Sequence, residues 1–328
     1  MTDATSPAPA TVPLPETGWS PLEGRILVRI SGPGTDKFLQ GQFSQHLDEV
    51  VPGHSPRAAA ATPKGRAYCL TRLVRDGGDI LMDLDRETAE ATLTQLRKYL
   101  MLFRGTSAEV LDEGQITGLL GSATAATLAG DLVAGLEAPG DSIAISGGFL
   151  IRVEPTADGI SRFEFWQTGP SEIELDASEQ RPETDWRASE IAAGIAALTE
   201  QTREAFVPQM LNWQHVGGVH FKKGCYTGQE VIARMHFLGQ LKKSLYRARL
   251  DAATAPQPGT AILAGERSAG TVINALPLAN NTCELLAVIR HDAADSELHV
   301  AGFESYSLAL LPLPYKVPER EKSAPSDT

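Results

Sequence analysis

The apolar positions of this chain change period several times, and each change marks an element. Arg25 to Ser31 (RILVRIS) is a short β-branched run that ends at Gly32-Pro33-Gly34, which predicts a strand and a turn. Thr35 is placed to cap a helix over TDKFLQGQFSQHL with Phe38, Leu39 and Phe43 facing inward. Gly41 inside that helix costs about 1 kcal/mol relative to alanine, so close packing or an approaching ligand must explain it. Residues 66–84 read as two strands around the turn Asp76-Gly77-Gly78-Asp79. Asp85 then caps a helix running to about Phe103, with Leu93, Leu96, Leu100 and Phe103 on one face and Arg97, Lys98 and Arg104 outward. This β-β-α unit suggests a ferredoxin-like α+β layer.

The theme repeats with strands at 116–120, 149–153 and 162–166, a helix at 124–136, and another helix beginning near Thr184 that carries Trp186. From Ser244 onward short strands (SLYRARL, AILAG, GTVINAL, ELLAVIRH, SYSLALL) follow at close intervals with turns at 256–259, Gly265 and Asn280-Asn281. That texture predicts a small antiparallel barrel or sandwich. The boundary is expected at 241–244, with an α+β region over 21–241 and the barrel over 242–315. Residues 1–20, rich in Pro and Ala, read as a disordered leader, and 316–328 as a disordered charged tail.

Composition narrows the function. The chain has 328 residues, 42% of them hydrophobic, and a net charge of −12. An acidic protein of this kind is not expected to bind nucleic acid directly, because a basic surface is what neutralises phosphates. Its three cysteines, Cys69, Cys225 and Cys283, are far apart with no CxxC, which argues against a disulfide framework or a self-contained metal site. No membrane helix, signal peptide or transit peptide is expected, and the pattern suits a reducing cytoplasm.

Against this acidic background, Phe221 to Leu250 holds seven Lys/Arg and one acid. Within it runs Lys222-Lys223-Gly224-Cys225-Tyr226-Thr227-Gly228-Gln229-Glu230. Nearby cations favour a thiolate at Cys225, and Gly224 and Gly228 free the backbone to turn N–H groups toward one point. Glu230 and Arg234 stand at i, i+4, the spacing of a helical ion pair, although QEVIARM also reads as a strand. A lone cysteine is equally a small buried hydrophobe. His220 and His236 are near in sequence but unfixed in space. Cys69 and Cys283 sit in apolar strands and read as core. Trp186 is either core or a wall on which a flat heterocycle stacks.

The segment from Phe206 to Arg234 resembles the YgfZ family, folate-binding relatives of the aminomethyltransferase (T-protein) of the glycine cleavage system. The likeness rests on Phe206-Val207-Pro208-Gln209, Gly217-Gly218, the nine residues Lys222 to Glu230, and Ala233-Arg234. Ile30-Ser31-Gly32, Phe38 to Gln42, Gly259 and Gly270-Thr271-Val272 extend it to roughly residues 22–312. The resemblance implies two interleaved α+β portions and a C-terminal β-barrel around a central hole. It also implies tetrahydrofolate or a derivative as ligand, a role supporting iron–sulfur cluster assembly or repair and iron–sulfur-dependent tRNA modification, and iron–sulfur assembly proteins or client enzymes as partners. It marks Cys225 as a functional thiol, and Trp186, Lys223, Tyr226, Gly228, Gln229, Glu230, Arg234 and Arg25 as folate contacts; no metal site is implied. Two departures stand out. Lys64-Gly65-Arg66-Ala67-Tyr68-Cys69 lacks the catalytic aspartate of true aminomethyltransferases, with Asp83 or Asp85 as conceivable substitutes. Arg25 replaces an aromatic of some relatives, and its guanidinium suits stacking or pairing with a folate carboxylate. A folate-dependent one-carbon transferase and a scaffold that has lost its ligand are the alternatives.

Overall fold

The computed structural model describes residues 8–171, 174–237 and 241–317. The chain runs through β1 (Gly18–Pro21), β2 (Arg25–Ser31), α1 (Thr35–Gln42), β3 (Arg57–Ala61), β4 (Ala67–Asp76), β5 (Asp79–Asp85), α2 (Arg86–Leu100) and β6 (Ser107–Val110). It continues with β7 (Gln115–Leu120), α3 (Ser122–Ala129), β8 (Ser142–Ile145), β9 (Gly148–Val153) and β10 (Arg162–Gln167). Two helices follow, α4 (Glu183–Ala192) and α5 (Gln229–Phe237). The last strands are β11 (Lys243–Leu250), β12 (Ala261–Ala264), β13 (Arg267–Pro277), β14 (Cys283–Arg290), β15 (Leu298–Val300) and β16 (Leu308–Leu311).

Three antiparallel sheets result. The first is ordered β3-β4-β5-β2-β6 and the second β1-β7-β10-β9-β8. Because β1 precedes the first sheet in the chain but pairs with β7, the two α+β units are interleaved. The third sheet, β15-β12-β13-β14-β11-β16, curls until its edge strands β15 and β16 come into contact. The fold is therefore α+β with a C-terminal antiparallel half-barrel.

The first two sheets pack face to face. Ile26, Val28 and Ile30 of β2 join Phe38, Leu93 and Leu96 under α1 and α2, while Leu27 turns the other way to meet Ile116, Ile151 and Trp166 of the second unit. A sheet covered on both faces needs apolar residues at nearly every position, which is why RILVRIS shows no clean alternation. Helix α4 lies where the three units meet, in contact with β1, β7, β13 and β14.

Several expectations need correction. Ala10 is fully buried and bridges Leu278, and Gly18–Pro21 is a sheet strand, so the described part of the leader is docked; residues 1–7 lie outside the described residues. Of the expected tail, residues 318–328 also lie outside them. The helix expected through Leu47 stops at Gln42 because Phe43 turns extended and bridges Ala60. The helix expected over 124–136 stops at Ala129, where Gly130 takes φ +55° and a 3₁₀ turn follows. The second strand pair turns at Gly77 (φ +60°) as read, and α2 ends at Leu100 with Phe103 packed edge-on against Phe38 at 5.5 Å.

Candidate functional site

The glycine-flanked cysteine loop is shaped by the end of a helix far away in sequence. Helix α1 is short, and the carbonyls of its last turn have no partner within it. The loop supplies the partners. Lys223 Nζ donates to Gln40 O at 2.7 Å and to Phe43 O at 2.5 Å, and Thr227 N donates to Gly41 O at 3.0 Å. A cation at a helix C-terminus is also favoured by the helix dipole. Lys223 is thereby buried, with its ammonium 4.7 Å from the centroid of the Tyr226 ring. Burial pushes its pKa down to about 7, and burial pushes the Tyr226 hydroxyl up.

The far side of the loop is fixed by a glycine contact. Gly228 takes φ +83°, and a Cβ there would lie 2.5 Å from Thr62 O at the tip of the β3–β4 hairpin. Gly65 on that tip (φ +71°) is reciprocally tight, with Val231 of α5 2.8 Å from a hypothetical Cβ. The hairpin segment that lacks the aspartate is thus packed directly on the cysteine loop. Between these two anchors Gly224 and Cys225 stand exposed, and Cys225 is a free thiol. Gln229 begins α5, as the helical reading expected. The i, i+4 ion pair expected with that reading is not among the contacts of the described residues, and Glu230 and Arg234 are both exposed. His236 stacks on Phe221 at 3.6 Å, away from any partnership with the cysteine.

Arg25 and Trp186 sit elsewhere, on the wall of a cavity of about 530 Å³ at the junction of the three units. Its apolar side comprises Leu22, Ile191, Ile195, Leu198 and Leu276, and its polar side Arg25, Asp85, Glu190 and Asn274, with Arg86 and Arg187 among its other lining residues. None of residues 223–234 lines it. Trp186 is 1% exposed: the Arg162 guanidinium lies 4.2 Å from its ring centroid, and Gly118 of β7 presses so closely that a Cβ would come within 2.4 Å of the indole. Its Nε1–H is buried without a partner.

Arg25 is already neutralised. It forms one ion pair with Asp83 and another with Glu164 at 2.7 Å, and Glu190 is 3.8 Å away. Burial opposes the Arg25 charge, but Asp83, Glu164 and Glu190 outweigh it and raise the pKa. Burial likewise works against an ionised Glu164, yet Arg25 brings it down to about 2. Asp83 also accepts from Thr71 Oγ1 and Arg72 N, so its carboxylate is fully engaged. Asp85 differs. It makes no capping bond to α2, and burial pushes its carboxyl up to about 7 despite Arg25. Burial raises Glu190 in the same direction.

The charged seam continues through the molecule. Arg57 grips Glu154 with Nε at 2.9 Å and Nη2 at 2.6 Å, Arg72 reaches the same carboxylate at 3.2 Å, and Arg162 donates to Glu154 O at 3.1 Å. Sequence reading passed over these residues because charges inside strands look like a solvated face. The available signal was RFEFWQ, where Arg162 and Glu164 interrupt an otherwise apolar strand of a doubly covered sheet. Among the described residues no group of three or more His, Cys, Asp or Glu is arranged to hold a metal ion, and no helix is long and apolar enough to cross a membrane.

Comparison with known proteins sets these features in a lineage. No family model matches the chain. The curated tRNA-modifying protein YgfZ of Escherichia coli O127:H6 is 30% identical over 315 residues, covering 91% of this chain and 93% of that protein. The protein of the same name from Shigella dysenteriae serotype 1 is 29% identical over the same extent. Among solved structures, the glycine cleavage system aminomethyltransferase T from Bartonella henselae superposes with a TM-score of 0.69 at 15% identity, covering 91% of this chain and 86% of that one. The last likeness establishes the fold, and the first carries the lineage: the chain belongs to the YgfZ family.

Proposed function

We propose that this protein binds tetrahydrofolate or a derivative in the cavity at the three-unit junction, and that it serves tRNA modification by supporting iron–sulfur cluster assembly or repair, with Cys225 as its reactive thiol. The observation that carries the ligand is the cavity itself. A volume of about 530 Å³ falls in the range of sites for drug-sized molecules, about 300–1,000 Å³. Its chemistry matches the parts of a folate. Asp85 and Glu190 offer acceptors to the N–H edge of a pterin, the Leu22–Ile191–Leu276 side offers an apolar surface, and Arg86 and Arg187 offer cations to the glutamate tail. Trp186 would contribute an edge and an N–H, since Arg162 and Gly118 already cover its ring. Bound tetrahydrofolate supplies one-carbon chemistry; this chain's own residues bind and orient it.

Cys225 is assigned to a separate surface in this reading. The thiol is exposed on a loop clamped at both ends, a placement that suits exchange with a partner protein rather than reaction inside the cavity. Calorimetry with tetrahydrofolate under reducing conditions tests the ligand; binding in the micromolar range supports it, and no heat at high micromolar ligand defeats it. Cys225→Ala should leave that binding intact while lowering iron–sulfur-dependent tRNA modification in cells. Unchanged modification would make the thiol dispensable.

One observation favours a second reading, a folate-dependent one-carbon transferase. Asp85 is a cavity carboxyl with a pKa near 7, which is the range useful for general acid–base work. Folate-dependent release of formaldehyde or ammonia from a small amine, lost in Asp85→Asn, would establish it.

A further inference from the structure

The charged seam is polarised, and its positive end opens to a second cavity. At the first cavity the lining carboxylates of Asp85, Glu87, Glu183 and Glu190 outnumber the guanidinia of Arg25, Arg86 and Arg187. At the opposite end the balance inverts: Arg57 and Arg72, 6% and 1% exposed, share the single carboxylate of Glu154. Two buried guanidinia therefore stand against one buried carboxylate. Both arginines and Glu154 line a separate cavity of about 280 Å³ whose wall also includes Gln45, His54, Gly217 and His220, with the half-exposed Glu49 carboxylate engaged by His220.

The donors there are incompletely used. Arg72 spends Nη1 on Ser55 O and Nη2 on Glu154, but its buried Nε–H has no partner. His220 is committed to Glu49 through Nε2 at 3.0 Å, so the unused donor of this wall is the Arg72 Nε–H. Two buried guanidinia sharing one directly paired carboxylate are only partly compensated, which is costly in a buried wall, and an unmade buried donor adds to that cost. A ligand that brings negative charge and acceptor oxygens removes both penalties at once, and the planar guanidinium fork is matched to oxyanions.

We propose that this second cavity is a binding site for a small oxyanion group, a phosphate or a carboxylate, held by Arg57 and Arg72. The site is distinct from the junction cavity and does not depend on folate occupying that one. It lies on the stretch that leads into the cysteine loop, since Gly217, Val219 and His220 are wall residues and Lys223 follows. An anion there would sit close in sequence to the thiol loop and would stiffen the segment on which that loop is carried.

The test is calorimetric titration of the full chain with sodium phosphate and, separately, sodium acetate at constant ionic strength, with chloride as control. Saturable phosphate or acetate binding in the low millimolar range or tighter is expected, and the anion that binds more tightly identifies the source chemistry. Glu154→Gln leaves both guanidinia unopposed and should tighten binding at least about fivefold. Gly217 is exposed, and a Cβ there would meet nothing within 4 Å. Gly217 takes φ +71°, a conformation that Asp and Asn adopt more readily than other side chains. Gly217→Asp puts a competing carboxylate at the mouth and should weaken binding at least about tenfold relative to Gly217→Asn, which carries the same backbone cost without the charge. Circular dichroism confirms that each variant is folded. Absence of saturable binding by the wild-type chain, or equal affinity in Gly217→Asn and Gly217→Asp, overturns the proposal.

Discussion

Lys223 reaches back across the fold to donate its ammonium to the Phe43 carbonyl at 2.5 Å, and that bond with its companion to Gln40 sets the shape of the cysteine loop. The lysine beside the thiol is therefore first a helix cap. Replacing it by methionine keeps the aliphatic stem but strips two buried acceptors of their donor. Each such loss costs about 1–3 kcal/mol, so Lys223→Met should lower stability by about 2–4 kcal/mol in urea unfolding. The loosened loop should also speed alkylation of Cys225 severalfold by a neutral reagent. Unchanged stability and unchanged alkylation would mean that the loop is held by something other than this clamp.

Gly228 answers a steric demand at the other end of the loop. Its φ of +83° disfavours any side chain, and the Thr62 carbonyl leaves no room for one. Gly228→Ala should cost about 1–3 kcal/mol, the usual range for forced overpacking. Gly65→Ala should cost a similar amount through Val231. Because the two glycines face each other across one contact, the double variant should be less destabilised than the sum of the singles. Strict additivity in thermal unfolding would show that the hairpin and the loop are not coupled.

The placement of Trp186 makes an analogous claim about the junction. Gly118→Ala pushes a methyl to within 2.4 Å of the indole, which then has to leave its position beneath Arg162. A loss of about 1–3 kcal/mol is expected, with a red shift of tryptophan emission as the ring gains water. If the spectrum and the midpoint both stay as in the wild type, the indole is not seated against β7 as described.

These relationships show which levels of the fold can be read without coordinates. The β4–β5 hairpin, α2 and the barrel strands from 243 onward follow from local chemistry: turn glycines, a 3.6-residue stripe and short strands between turns. The cysteine loop stood out because lysines and glycines flank a thiol in an acidic chain. What stayed hidden is non-local. Nothing in MTDATSPAPATVPLPETGWSP signals that Gly18–Pro21 will pair with a strand after residue 114, because a Pro-rich segment joins a sheet only through a partner supplied from elsewhere. Lys223 reads as a thiolate activator until the end of α1 is placed beside it. Arg57, Arg72, Glu154, Arg162 and Glu164 read as surface until two sheets close over them. Arg25 reads as a ligand contact until Asp83 and Glu164, two carboxylates that only the folded chain brings to it, are placed beside it.

The same seam predicts how breaking it would act. Arg25→Met leaves Asp83 and Glu164 buried without their principal cation. Removing one partner of a buried pair costs about 3–5 kcal/mol, and the loss should be visible at neutral pH. Without Arg25 burial raises the Glu164 carboxyl, so Glu164 of the variant takes up a proton as the solution is acidified and the difference from wild type should shrink, because its charge is what the arginine compensates. A difference that is constant from pH 7 to pH 3 would mean that Arg25 acts through packing alone.

Asp85 carries the last prediction, which concerns protons at the junction cavity. Its carboxyl pKa is raised to about 7 by burial, with Arg25 and Arg187 acting in the opposite direction and Glu190 and Asp83 in the same one. An unfolded aspartate titrates near about 4. Between these values the folded chain holds a proton that the unfolded chain has released, so stability falls as pH rises from about 4 to about 7 and levels off above. Glu190 is raised as well and adds a contribution of the same sign. Glu154 and Glu164, lowered to about 2, act oppositely, and their contribution is lost only as pH falls below the ordinary carboxylate range. The difference between wild type and Asp85→Asn isolates the one group: the variant should gain stability relative to wild type as pH rises from 5 to 8. A ligand that presents N–H donors to Asp85 should favour its ionised form and expel the proton. Titrations at pH 6.5 in buffers of different ionisation enthalpy should then report proton release on tetrahydrofolate binding by wild type and less in Asp85→Asn. Binding without buffer-dependent heat would place the donor edge of the ligand away from Asp85.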